Sequence, residues 1–334
     1  MAPVARPTYA VIAKAANVSE ATVSRVLNGD ESVHPDRARR VHEAVEKLGY
    51  KKNRVASALA SGRTGLIAVV IDDDLSVFSD PFYGTVTSGV SRVLMENGLQ
   101  TVLMVSPVGA SDGGVSHYLK SGEVDGAIFF ALHSDTLVTN LKKQGLPLVI
   151  TGTPHSINDV AFVDTDNFGG AYTATKHLMS TGAKKIAIIT GDIGTTAAKQ
   201  RLDGYLQVYR ESGHVPAKGL ICEGDYSFES GQQHAKKLIA AHPDIDGIFA
   251  SNDLMAMGAM SVLQDMGIDV PGQVKVVGFD DSMIAQTARP GLTTIRQDVV
   301  ALGEAAGSLM IAQLNGQDVE PIILPTELVV RASA

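Results

Sequence analysis

Apolar residues between Thr8 and Gly49 recur at helical spacing in three short stretches separated by polar punctuation. Val11, Ile12 and Ala15 share one side of the first. Thr8 stands where it can cap that helix, and Asn17, which tolerates left-handed backbone, ends it. Ser19 is placed to cap a second helix, Glu20–Leu27, stopped by Asn28-Gly29. Pro35 and Asp36 suit the first turn of a third, in which Ala38, Val41, Val45 and Leu48 repeat before Gly49 closes it. Two short helices joined by a tight turn and braced by a third predict an all-α helix-turn-helix unit; a generic three-helix bundle is the plainer alternative.

After Gly62-Arg63-Thr64 the pattern changes. Strand-length apolar runs alternate with amphipathic stretches: Leu66–Ile71, Thr101–Val105, Gly126–Phe130 and Leu146–Ile150, then Ile186–Thr190, Gly247–Ala250 and Val274–Phe279. Such alternation predicts parallel sheets wound with helices, and two sets predict two lobes of an α/β body. No run approaches the ~18–20 apolar residues of a membrane span, and the N-terminus turns polar too early for a secretory signal.

With 334 residues, 45% apolar and 19% charged, the chain has material for two or three folded units. The net charge of -8 hides a split: residues 1–63 carry 11 Lys+Arg against 6 Asp+Glu, and the other 271 carry 17 against 30. A basic head on an acidic body points to a polyanion at the head only. A single cysteine, Cys222, excludes a disulfide framework. The expectation is a soluble, cytoplasmic protein.

In the second helix Val23, Val26 and Leu27 face the brace, leaving Glu20, Ala21, Ser24 and Arg25 outside. Arginine can donate two hydrogen bonds to guanine in a major groove. Glu20 either accepts from a cytosine amine or lowers affinity by repelling phosphate.

The stretch Val18-Ser19-Glu20-Ala21-Thr22-Val23-Ser24-Arg25-Val26-Leu27-Asn28-Gly29 resembles the recognition region of the lactose/galactose-repressor family of bacterial transcription regulators. So do Lys47-Leu48-Gly49-Tyr50, the segment Asn53-Arg54-Val55-Ala56-Ser57-Ala58-Leu59-Ala60, and the closing Leu328-Val329-Val330-Arg331-Ala332-Ser333. The resemblance covers essentially the whole chain. It implies a DNA-binding head at 1–52, a hinge helix and linker at 53–63, and a periplasmic-binding-protein-like effector and dimerisation body at 64–334. In that body lobe 1 would take about 64–163 and 293–323, and lobe 2 about 164–292 and 324–334, with crossings near Asp164, Leu292 and Leu324. The implied DNA contacts are Thr8, Ser19, Glu20, Ala21, Thr22, Ser24, Arg25, Asn28, Asn53, Ala56 and Leu59. Leu59 would wedge into the minor groove, or else be a linker residue packed on the body. Lys52 stands where the family commonly has proline, and Asn17 where it usually has glycine.

For the cleft between lobes the resemblance implies Arg201, Asn252, Asp280, Tyr226, Phe82 and Gln297 as effector contacts. All but Gln297 have a plainer reading. Arg201 would be a salt-bridging helix residue, Asp280 a loop turn, and Tyr226 and Phe82 ordinary packing. Beside Asn252, Asp253 would cap the helix that follows. Elsewhere the tempting signals fail. Asp164-Thr165-Asp166-Asn167-Phe168-Gly169 begins like a calcium loop, but Phe168 and Thr175 replace required oxygen ligands. Asp72-Asp73-Asp74 follows a strand and reads as a solvated turn. No GxxxxGK[ST], GxSxG or HExxH motif occurs.

The resulting expectation is an effector-controlled, sequence-specific regulator, in this family most often a repressor, and not an enzyme. It would bind palindromic operator DNA as a homodimer, since no trailing leucine heptad precedes Ala334, and respond to a sugar or related metabolite without cofactor, metal or membrane partner. A transport-type sugar-binding protein would leave the basic head without a use, and an enzyme would need a catalytic constellation.

Overall fold

The computed structural model describes residues 7–27, 29–30, 32–50, 62–72, 79–106, 114–130 and 133–334. The chain divides into two compact units, Met1–Thr64 and Gly65–Ala334.

The first unit contains α1 (Tyr9–Ala16), α2 (Glu20–Leu27) and α3 (Pro35–Lys47). Asn17 ends α1 in the left-handed region at φ 50°, and the Ser19 hydroxyl accepts from Thr22 N–H at 3.2 Å. Thr8 occupies the N-cap position of α1, but its side chain makes no cap hydrogen bond. The buried face of α1 is Ile12, Ala13 and Ala16, whereas Val11 is 45% exposed and Ala15 is also outside. The face expected from Val11 and Ala15 is thus rotated by about one residue. Ile12, Val23, Val26, Val41 and Ala44 form the core, with Leu27 and Val45 packed against it.

The second unit holds two six-stranded sheets, ordered β11-β5-β4-β3-β1-β2 and β12-β10-β9-β8-β6-β7. The first comprises β1 (Leu66–Ile71), β2 (Gln100–Val105), β3 (Gly126–Phe130), β4 (Leu148–Thr151), β5 (Ala161–Thr165) and β11 (Ile322–Leu324). The second comprises β6 (Ile186–Thr190), β7 (Ile221–Glu223), β8 (Gly247–Ala250), β9 (Lys275–Asp280), β10 (Thr293–Gln297) and β12 (Thr326–Val329). All pairings are parallel except that of β10 with β12. Both lobes therefore repeat one doubly wound order, in which ligands gather beyond the carboxyl ends of the strands. The central strands are buried on both faces, which is why they read as unbroken apolar runs.

The helices of the first lobe are α4 (Pro81–Glu96), α5 (Gly114–Lys120), α6 (Thr136–Lys142) and α12 (Val299–Leu314). The second lobe carries α7 (Asn167–Ser180), α8 (Thr196–Glu211), α9 (Phe228–Ala241), α10 (Asp253–Asp265) and α11 (Met283–Thr287). The chain changes lobes between β5 and α7, between β10 and α12, and between β11 and β12. The middle crossing thus lies at Gln297-Asp298 and not near Leu292. Residues 293–297 belong to the second sheet, because β10 is held between β9 and β12. Asp166 and Asp298 start the helices after two crossings, accepting from Gly169 and Ala301 N–H at 2.8 and 2.9 Å. Among the described residues, no helix is long and apolar enough to cross a membrane.

Candidate functional site

In the head, Glu20, Ala21 and Arg25 are exposed along α2, with Thr22 and Ser24 half-buried beside them; Thr8 and Ser19 are exposed at the starts of α1 and α2. Burial of Val23 and Val26 against the other helices turns this polar stripe outward. It has the dimensions and chemistry of a helix that enters a major groove. Asn28, Asn53, Ala56 and Leu59 lie outside the described residues.

In the body, all six residues named from sequence line one cleft between the lobes: Phe82, Arg201, Tyr226, Asn252, Asp280 and Gln297. The reason is topological: Tyr226 and Asn252 follow strands, Asp280 and Gln297 end them, Phe82 opens a helix, and Arg201 reaches in from the second turn of α8. Asp80, Thr153, Asp164, Asn167 and Thr195 add to the polar lining.

Arg201 is 5% exposed on α8. Its Nε donates to Asn167 Oδ1 at 2.8 Å, its Nη1 donates to the Ser251 carbonyl, and the guanidinium lies 3.7 Å from the Phe279 ring centre. Two of the five N–H donors of this expected effector contact are therefore committed to the protein. Asn167 is fixed in turn by Asp164, whose Oδ1 accepts from Asn167 Nδ2 at 3.0 Å and whose Oδ2 accepts from Thr153 Oγ1 at 2.7 Å. Burial pushes the Asp164 carboxyl up despite these bonds.

Asn252 is itself the cap of α10, its Oδ1 accepting from Met255 N–H at 2.9 Å. Its Nδ2 donates to the Tyr226 carbonyl at 2.8 Å and reaches Asp80 Oδ2, on the other lobe, at 3.3 Å. Asp253 does not cap the helix. It is buried and accepts from Ser282 N–H at 2.7 Å and Thr294 Oγ1 at 2.6 Å, tying α10 to β10. Burial drives its carboxyl up to about 7.

Asp280 and Asp281 hold consecutive positive φ values of 115° and 57°. Non-glycine residues pay for such backbone, so surrounding bonds must hold it. Arg296 Nε donates to Asp281 Oδ2 at 2.8 Å and Arg331 donates to Asp281 Oδ1. This clamp presents Asp280 to the cleft, where Gln297 Nε2 donates to its Oδ1 at 2.5 Å. Burial holds Asp280 well above the carboxylate range, Arg201 opposes that, and Asp253 and Asp80 add to it by repulsion. Tyr226, at φ 67°, packs its ring over Gly191, where an added Cβ would meet it at 1.8 Å. Phe82 stands edge-on to Tyr83 at 5.4 Å and also packs on the lobe 1 core.

Asp80 belongs to the stretch Asp80-Pro81-Phe82-Tyr83, which matches the family's ligand-facing loop but from which only Phe82 was singled out, and Thr153, Asp164 and Asn167 were missed from sequence. Asp80 is an ordinary helix cap to the eye, its Oδ1 accepting from Phe82 N–H at 2.8 Å. The others sit around β5, whose polar end disguises it. A polar residue just after a strand was the available signal for Thr153 and Asn167, whereas Asp164 lies inside β5. Among the described residues no three His, Cys, Asp or Glu side chains are grouped to hold a metal ion.

The family model described as bacterial regulatory proteins, lacI family, matches residues 11–53, and that of a periplasmic binding protein-like domain matches 175–334. The HTH-type transcriptional regulator CelR of Thermobifida fusca is 36% identical over 98% of both chains. A solved CelR–cellobiose complex superposes with a TM-score of 0.78 at 35% identity, over 98% of this chain and 100% of that one. The lac repressor dimer bound to operator and the anti-inducer ONPF gives a TM-score of 0.88 at 25% identity, over 98% and 99%. A groove-sized polar helix face on a basic head, a two-lobed body with a polar cleft, and full-length similarity to such regulators agree: the chain belongs to the lacI family of bacterial regulatory proteins.

Proposed function

We propose that this chain is a cytoplasmic, homodimeric repressor whose affinity for a palindromic operator is set by a sugar or related polyhydroxylated metabolite held between the two lobes. The convergence of Arg201, Asn252, Asp280, Gln297, Tyr226 and Phe82 on one cleft carries the reading. Asp280, Gln297 and Asn252 offer donors and acceptors for ring hydroxyls, and Tyr226 or Phe82 covers a C–H face. Arg201 shapes this wall through Asn167 and Ser251 and leaves part of its fork for the ligand. In the head, Glu20, Ala21, Thr22, Ser24 and Arg25 meet base edges, while Thr8, Ser19 and Asn28 position the backbone. Asn53, Ala56 and Leu59 form the hinge contact.

The effector alters DNA affinity only through its different affinity for the DNA-competent and released forms, typically ~1–3 kcal/mol of coupling. The test is operator binding by fluorescence anisotropy with and without cellobiose, galactose and ribose. One of them should shift operator affinity in wild type and lose its effect in Asp280→Asn, with operator affinity in its absence unchanged. A full response in Asp280→Asn would refute the site.

A further inference from the structure

We infer that His133 and Asp192 form a latch between the lobes that favours the closed body and thereby strengthens the hold on an effector that neither residue touches. The effector half of this inference rests on the reading above.

Neither residue lines the cleft. His133 follows β3 in the first lobe and Asp192 follows β6 in the second, with His133 Nε2 at 3.2 Å from Asp192 Oδ2. The ring is fixed from behind, where Nδ1 lies 2.8 Å from the Asp72 carbonyl and Asp72 Oδ2 accepts from His133 N–H at 3.0 Å. Both ring nitrogens thus face acceptors, a carbonyl and a carboxylate, and the doubly protonated imidazolium satisfies both. Asp192 is shaped for the same contact. Its Oδ1 accepts from Gly194 N–H at 2.6 Å and its carbonyl from Thr195 N–H at 3.0 Å, which leaves Oδ2 for the histidine. Gly194 makes room for the ring, since a Cβ there would lie 3.0 Å from His133 Cδ2.

The bond to Asp72 raises the imidazole most, burial opposes it and the Asp192 charge adds, holding it at about 9. Asp135 and His155 line the polar pocket beside His133, where the Asp135 carboxylate is taken up by the N–H groups of His155, Ser156 and Ile157. Asp73 and Asp74 follow Asp72 in the chain, outside the described residues. Closure is therefore favoured while the imidazolium persists and weakens as pH rises through about 9. Two further contacts join the lobes without such a charge: Thr196 Oγ1 donates to the Thr153 carbonyl at 2.6 Å, and Gln200 Nε2 to Thr153 Oγ1 at 3.2 Å. The latch exists only where the lobes meet, and a ligand that needs them closed gains affinity in proportion to the closed fraction.

Spin labels on Lys143→Cys in the first lobe and Asp203→Cys in the second, both exposed positions, read the lobe separation by pulsed electron resonance without any ligand. The labelled chain carries Cys222→Ser and is diluted with unlabelled chain, so that each distance is read within one chain. At pH 7 Asp192→Asn should show longer separations than wild type. Wild type should reach them as pH rises from 8 to 10, while Asp192→Asn does not change. His133→Gln should match Asp192→Asn, and the double variant should be no more open than either single one, as for two halves of one contact. Calorimetry with cellobiose, galactose and ribose should find the sugar that binds wild type held about two- to fivefold more weakly by Asp192→Asn at pH 7, and equally at pH 10. Equal separations in wild type and Asp192→Asn at pH 7 overturn the latch. Longer separations with unchanged sugar affinity overturn its link to the effector. If none of the three sugars binds, the sugar reading fails, and the separations alone decide the latch.

Discussion

His133 Nε2 lies 3.2 Å from Asp192 Oδ2, joining the loop after β3 to the loop after β6 across the cleft. On its other side Nδ1 sits 2.8 Å from the Asp72 carbonyl, and His133 N–H donates to Asp72 Oδ2 at 3.0 Å. Asp72, read from sequence as part of a solvated turn, is thus an orienting partner. The Asp72 bond raises the imidazole to about 9, with the Asp192 charge adding to it and burial opposing. Because the folded value exceeds the unfolded ~6.5, the stabilisation is full below pH 6.5 and is lost as pH rises through about 9. Asp192 is half exposed, so its share is on the order of 1 kcal/mol after screening. Asp192→Asn should therefore unfold at a lower temperature than wild type at pH 7, and the difference should vanish by pH 10. A difference independent of pH would remove the charge from the explanation.

Asp253 titrates in the same direction over a lower pH window. Its carboxyl, raised to about 7 by burial, binds a proton in the folded chain at pH values where the unfolded chain has lost it. Stability from this group falls as pH rises from about 4 to 7, by at most ~1.4 kcal/mol per pH unit, and stays reduced above that. Asp253→Asn preserves the shape that meets Ser282 and Thr294 and has no proton to lose. Its melting temperature relative to wild type should climb between pH 5 and pH 8; a flat difference would show Asp253 ionised throughout.

Helices α4 and α12 touch backbone to backbone where Gly89 meets Gly303. A Cβ at Gly303 would lie 2.1 Å from the Val86 carbonyl oxygen, and one at Gly89 2.4 Å from that of Val300. Neither obstacle is a flexible side chain, so the helices must separate. Gly303→Ala should cost roughly 1–3 kcal/mol, the usual range for overpacking, read by denaturant unfolding. Gly316→Ala, at φ 70° but with open space around it, tests strain without crowding and should cost less.

The legibility of this fold follows burial. Strands β1, β3, β6 and β8 are buried on both faces, and their apolar runs named them and the α/β class. Strands β7 and β11 are three-residue edges, and β10 reads Thr-Thr-Ile-Arg-Gln, so period and propensity had little to register. Missing β10 is what displaced the middle crossing to Leu292. The site divides in the same way. Arg201, Asn252 and Asp280 stand beside strong strands or in a family-like motif, whereas Asp80 and Asp164 look like local caps. His133 and Asp192 are 59 residues apart, and only the packing of two lobes brings them together.

Arg25 is exposed on α2, one turn beyond the exposed Glu20 and Ala21, with Val26 anchoring the opposite face. Its backbone carbonyl accepts from Asp30 N–H at 3.0 Å, which fixes the end of the helix and leaves the side chain outward. A base contact and a phosphate contact by this arginine predict different data. As a bidentate reader of guanine, Arg25→Ala costs roughly 1–3 kcal/mol per half-site and relaxes preference at one base pair. The two-fold dimer imposes that change symmetrically on both half-sites, and the salt slope stays near the wild-type value. As a phosphate contact, the same substitution weakens all sequences alike and reduces the salt slope by about one per arginine. Binding to a library of operator variants at several salt concentrations separates the two. The expected outcome is loss of preference at one symmetric pair of positions; uniform weakening with a shallower slope would place Arg25 on the backbone.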